Sequence, residues 1–137
     1  MRRPAIAYGA TLLVFLALDS VWLGLTASRL YRPLIGPLLA PAPVLWAAAL
    51  FYLLYAAGLT AFVVMPGTAH GRALGTLGRG AFFGLVAYAT YDLTNQATMR
   101  NWPLLLSVAD LAWGMVVSGV AATAGRAVLG DMQRRHA

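Results

Sequence analysis

Four long apolar blocks occupy most of this chain of 137 residues, at about Pro4 to Thr26, Pro43 to Met65, Gly80 to Thr98 and Trp102 to Ala124. A helix rises 1.5 Å per residue, so roughly 20 apolar residues span the hydrocarbon of a bilayer. Lipid offers no partner to backbone N–H and C=O groups, and a helix satisfies its own. The sequence therefore predicts an all-α fold, a polytopic four-transmembrane-helix bundle forming one transmembrane domain over residues 1–137, with helices at about 4–26, 43–65, 80–98 and 102–124. The composition agrees: 61% of positions are hydrophobic and 10% charged, against about 25% charged in soluble domains. The first block is too long for a cleaved signal peptide, contains Asp19 and Trp22, and lacks a convincing small-residue cleavage site after it.

The formal net charge of +6 comes from ten Arg residues, and these sit at the margins of the apolar blocks. There they act as topology signals and as contacts for anionic headgroups. No basic stripe with stacking aromatics accompanies them, so no nucleic-acid partner is expected. Four crossings put both termini on one side with Arg2, Arg3, Arg72, Arg79, Arg126, Arg134 and Arg135, and leave Arg29, Arg32 and Arg100 opposite. Seven against three predicts cytoplasmic termini in a multi-pass protein of the bacterial inner membrane. The chain has no cysteine, which removes disulfides, thiolate chemistry and Cys-based metal sites.

The connections carry less information. From Arg29 to Pro43 the outer loop has four prolines, which should break regular helix, while Tyr31, Leu34, Ile35, Leu38 and Leu39 keep it apolar enough to lie over the helix ends. Pro66 to Arg79 is Gly-rich and reads as a flexible inner connector, with His70 as a solvated side chain. The tail from Gly130 to Ala137 reads as a short polar end anchored at headgroups.

Chemistry concentrates at the acids. Asp19, Asp92 and Asp110 lie inside apolar blocks and Asp131 outside them, although an intramembrane carboxylate costs about 2.5–3.5 kcal/mol on insertion scales. Counted from the predicted helix ends, all three sit roughly 9 to 12 Å below the outer boundary. Each of two has a Trp three residues on, in LDSVWLG (Asp19, Trp22) and ADLAWGM (Asp110, Trp113), on one helix face. Because helices one and four run in opposite directions, the two Trp rings are expected to point away from each other. Helix three adds Tyr88, Asp92 and Asn95 on one polar face, with Tyr91 beside them, and helix two offers the phenols of Tyr52 and Tyr55 as donors. Gly80 and Gly84, with the small residues Gly114, Ser118 and Ala122, promise close helix packing on the inner side of the acids.

The block TYDLTNQAT (Thr90 to Thr98), with LDSVWLG, FYLLYAAGLTAFVV and DLAWG, resembles the bacterial membrane-protein family of domain of unknown function 2177, over essentially the whole chain. The resemblance implies a small integral membrane protein and carries no activity, substrate or catalytic residue with it.

Three functions compete for the constellation. Asp19, Asp92 and Asp110 suit an acid/base centre for a membrane lipid or another lipid-soluble molecule, because low dielectric and mutual repulsion separate the protonation states of neighbouring carboxylates. Trp22, Tyr52, Tyr55, Tyr88, Tyr91, Asn95, Trp113 and Arg100 would then line the substrate site. Alternatively the aspartates fix helix register in a structural or accessory protein. A third reading makes them a proton or cation path, with Arg29, Arg32 or Arg100 as counter-ions and a homodimer supplying enough helices. Whether the chain is an enzyme stays open at this stage. No cofactor and no resident metal is expected, and an oxygen-only site would favour Mg or Ca.

Overall fold

A computed structural model, which describes residues 1–135, contains four long helices: α1 (Arg2–Thr26), α2 (Leu45–Leu59), α3 (Ala73–Thr98) and α4 (Leu104–Arg135). Three stretches are long and apolar enough to cross a membrane: Arg2–Leu38, Leu45–Thr68 and Leu104–Arg135. The third predicted span is a long helix but falls outside that set. Its last turns carry Thr90, Asp92, Thr94, Asn95, Gln96 and Thr98, and these polar side chains lower its hydropathy. Large apolar side chains are exposed on all four helices, among them Leu13, Leu54, Phe82 and Leu104. Such an outer surface suits lipid rather than water.

The connections depart from expectation. Past Thr26 the chain stays helical, as a π-helical turn (Ala27–Tyr31), a short α-helical turn (Arg32–Ile35) and a 3-10 turn (Gly36–Leu38). The same device continues α2 through a π turn (Thr60–Val64) into a short helix (Met65–His70), so the expected Gly-rich connector shrinks to Gly71 and Arg72. Each π turn ends two residues before a proline, Pro33 or Pro66. A proline ring clashes with the carbonyl four residues back and donates no hydrogen bond. The wider π turn absorbs that clash and lets the helix go on. The side chain of His70 and the last two residues of the tail lie outside the described residues, whereas Gly130 to Arg135 extend α4 rather than forming a loose end.

Between α3 and α4 the turn at Met99 to Pro103 is closed by Met99 N–H donating to the Asn95 carbonyl (2.8 Å) and by Asn101 with a positive φ of 56°, a conformation that Asn tolerates better than most residues. This antiparallel pair has the most extensive packing in the molecule. A Cβ on Gly80 would come within 2.9 Å of the Gly119 Cα and the Ser118 carbonyl, and one on Gly84 would strike the Gly114 carbonyl oxygen. The glycines let the two backbones touch. At the opposite end, Met1, Arg2, Met65, Thr68 and Gln133 share one hollow, so both chain ends meet there. Arg126 donates from Nε to the Gly67 carbonyl (3.3 Å) and from Nη2 to that of Gly71, which ties α4 to the short connector.

Buried positions form stripes at four-residue spacing. On α1 the stripe is Ala7, Thr11, Phe15 and Asp19; on α3 it is Thr76, Gly80, Gly84 and Asp92, with half-buried Tyr88 in the remaining step. Residues four apart share one face of a helix, so each aspartate is the last member of a row already facing inward. Gly84→Ala should therefore destabilise the bundle by about 1–3 kcal/mol, the range for overpacking. Gly78→Ala, where an added Cβ meets open space, should leave the protein unchanged within about 0.5 kcal/mol, both read as thermal midpoints of the detergent-solubilised protein.

Candidate functional site

Asp19, Asp92 and Asp110 are 7%, 0% and 6% exposed, and all three line one cavity of about 480 Å³ toward the α3–α4 turn end of the bundle. Every long helix contributes to its wall: Trp22 and Leu23 from α1, Phe51 and Tyr55 from α2, Ala87, Tyr88 and Tyr91 from α3, Trp113 from α4. The convergence follows from the stripes, because the inward rows of α1 and α3 end at the height where Asp110 falls in the inward row of α4, Leu106, Asp110, Gly114 and Ser118.

Two of the carboxylates accept hydrogen bonds from tyrosine or tryptophan donors. Asp19 accepts from the Tyr52 hydroxyl at Oδ2 (2.5 Å) and from Trp113 Nε1 at Oδ1 (2.9 Å), so one side chain joins α1 to α2 and α4. Asp110 accepts at Oδ1 from the Tyr31 hydroxyl, whose oxygen in turn accepts from Trp22 Nε1 (3.1 Å). Each Trp thus serves the aspartate of the other helix, Trp113 directly and Trp22 through Tyr31. The two indoles stack, with centroids 4.7 Å apart and planes 4° from parallel. This corrects the expectation that the rings diverge. Helical side chains lean toward their own N-terminus, and in antiparallel helices that lean carries Trp22 and Trp113 toward each other.

Asp92 differs. Both its oxygens are buried and neither receives a hydrogen bond from a tyrosine, tryptophan or serine among the described residues; its carboxyl instead adjoins that of Asp110. Its surroundings are nonetheless ordered: the Ser107 hydroxyl donates to Gln96 Oε1 (3.0 Å), Trp102 Nε1 donates to Ser107 Oγ (3.0 Å), and Gln96 Nε2 donates to the Trp102 carbonyl (3.0 Å). That network holds the turn of α3 behind Asp92 against the start of α4 and spends no donor on the carboxyl, which faces Asp110. Two adjoining buried carboxylates are costly as a pair of anions, so the pair must hold a proton or face a cation.

Of the other residues singled out in the sequence, Trp22, Tyr55, Tyr88, Tyr91 and Trp113 lie on the cavity wall. Tyr52 stands behind it at Asp19, and the Tyr55 hydroxyl is paired with Ser118 Oγ (2.7 Å). Asn95 is half-buried one turn beyond Tyr91 and does not line the cavity; Arg100 is exposed in the α3–α4 turn, away from it. Arg29 and Arg32 are exposed as well, and no residue of the wall is basic among the described residues. The counter-ion role expected of these arginines has no geometric basis. A helix that ends in a tight turn points its last side chains outward, which is why counting depth alone brought Asn95 and Arg100 too close.

Tyr31 is the residue that sequence reasoning missed. In an unbroken helix it would lie about 120° round from Asp19, whereas a π turn absorbs one extra residue and reduces the angle to about 20°. Leu30, Tyr31, Leu34 and Ile35 then pack on Trp102 and Leu106, so the predicted apolar lid does sit on the helix ends. Its signal was the apolar pair Leu30–Tyr31 between Arg29 and Arg32, just before Pro33, legible once the π turn is known. Gln96, Trp102 and Ser107 were passed over because no single one of them is unusual.

A helical protein with a largely apolar exposed surface and acids gathered inside belongs to the class of membrane proteins with a polar cluster within the helix bundle. The chain belongs to the predicted membrane protein family of domain of unknown function 2177, whose family model matches residues 4–127. No curated protein and no solved structure matches it.

The donor assignment has a measurable consequence. Tyr52→Phe and Trp113→Phe, each leaving an oxygen of Asp19 unsatisfied, should each destabilise the bundle by about 1–3 kcal/mol. Asp92→Asn removes no bond to a Tyr, Trp or Ser donor and relieves the meeting of two carboxyls, so it should leave the thermal midpoint in detergent unchanged or raise it.

Proposed function

We propose that the cavity is a membrane-embedded acid/base site for a lipid-soluble molecule, with Asp92 as the proton-carrying group and Asp19 and Asp110 as fixed cross-links that shape the wall. The observation that carries this reading is the contrast among the three acids. Two accept from Tyr31, Tyr52 and Trp113, whereas the third is fully buried, has no such donor, adjoins the Asp110 carboxyl and lies on the wall of an open cavity. A scaffold gains little from a second carboxyl beside Asp110, since two acids must be desolvated for the one bond that a shared proton gives them. A proton carrier can use the pair, because adjoining carboxyls hold one proton between them and can pass it to whatever enters.

Access supports a substrate from the lipid phase. The exposed members of the wall are Leu23, Phe51 and Tyr91, so the mouth is bordered by apolar and aromatic side chains. At this height α2 packs chiefly on α1, and the ring of Tyr55 bridges to Phe83 and Tyr88 of α3 at centroid distances of 5.6 and 6.2 Å. Side chains rather than backbones fill the gap between α2 and α3, and side chains move more readily than packed helices. The mouth opens sideways into lipid in this reading.

The arrangement in the membrane follows from the charges: four crossings of a bacterial inner membrane, cytoplasmic termini, and the cavity in the outer half of the bundle. Reporter fusions test it, with a fluorescent protein folding at the C-terminus and a periplasmic phosphatase active when fused in the α3–α4 turn; the reverse pattern would invert the placement. For the chemistry, membrane lipids from a deletion strain carrying wild-type protein or Asp92→Asn should differ in at least one lipid class, at equal protein level in the membrane. Identical lipid profiles would overturn the acid/base reading.

A further inference from the structure

We propose that the molecule accepted by this cavity is an amphiphilic cation, an amine or quaternary ammonium whose head sits against Asp92 between the aromatic rings and whose apolar tail leaves past Phe51 and Tyr91. The inference rests on reading the cavity as a binding site and adds the chemistry of its occupant.

Three observations point to positive charge. The wall holds three carboxylates and, among the described residues, no basic group. Its hydrogen-bond donors are largely spent within the wall: Trp113 and Tyr52 on Asp19, Trp22 on Tyr31, Tyr31 on Asp110, Tyr55 with Ser118. An anion entering here would find the hydroxyls of Tyr88 and Tyr91 and little else, whereas a cation would meet Asp19 and the adjoining carboxyls of Asp92 and Asp110 with no basic side chain beside them. What the wall presents besides those acids is aromatic surface, which attracts cations through the negative face of each ring.

The size of the charge carrier follows from the same geometry. Among the described residues no three acidic or histidine side chains converge closely enough to hold a metal ion. The acids border a cavity of about 480 Å³ walled largely by aromatic rings, so the complementary cation is bulky and weakly hydrated, and its tail is apolar because the mouth is.

Intrinsic fluorescence of the full chain in non-ionic maltoside tests this directly, since Trp22 and Trp113 are on the wall. Decyltrimethylammonium, decanol and decanoate, which share one tail length, should bind with a preference for the ammonium of about tenfold in Kd over either other probe, the scale of one cation–π or ionic contact. Asp92→Asn should remove that preference, and Asp131→Asn, distant from the cavity, should keep it. Saturable binding of all three probes with equal Kd would overturn the cation assignment while leaving the cavity as a binding site. An ammonium preference untouched by Asp92→Asn would also overturn it. Absence of saturable binding by any probe would overturn both this inference and the acid/base reading beneath it.

Discussion

Asp19 receives two hydrogen bonds from two different helices, and the turn end of the bundle is organised around that meeting. In water such a carboxylate would be solvated and its donors optional; inside an apolar bundle each oxygen must find a donor or remain a cost. Tyr52 brings α2 and Trp113 brings α4, so satisfying one group fixes the height and rotation of three helices at once. The glycine contacts of α3 and α4 supply the complementary constraint, because they bring the fourth helix close without a side chain between the backbones. Together they leave a space at the turn end that is neither filled by large side chains nor open all round.

The three aspartates, alike in depth, have different surroundings. Asp19 accepts from Tyr52 and Trp113, and Asp110 from Tyr31. Asp92 stands at the end of the inward row of α3 beside the Asp110 carboxyl, and the nearby Ser107, Gln96 and Trp102 satisfy one another. That contrast is what the proposed division rests on, with Asp19 and Asp110 holding the wall and Asp92 carrying the proton.

Much of this was legible from the residues. Apolar block length located all four helices, and the spacing of Asp19, Asp92 and Asp110 brought them to one level because helical rise is regular. The donors on α2 were also visible, since Tyr52 lies at the matching depth. Rotation was less legible. The lean of side chains toward the helix N-terminus reversed the expected geometry of Trp22 and Trp113, and a single extra residue in a π turn moved Tyr31 onto the site. The prolines misled in the same way, since Pro33 and Pro66 are strong breakers of an ideal helix but are carried by a widened one. These are local departures from 3.6 residues per turn, and periodicity arguments assume that none occurs.

The crossed service of the two Trp residues also bears on how the chain is assembled during synthesis. α1 is made first and α4 last, so Asp19 enters its surroundings well before Trp113 exists. Tyr52, on the next helix, can meet it early, and an α1–α2 hairpin thus has one of the two bonds while the second oxygen waits. Asp110 arrives in the opposite situation, with Trp22 and Tyr31 already made. The last helix consequently completes both ends of the lattice in one docking event: it delivers the missing donor to the oldest aspartate and meets a ready donor, the Tyr31 hydroxyl, for its own.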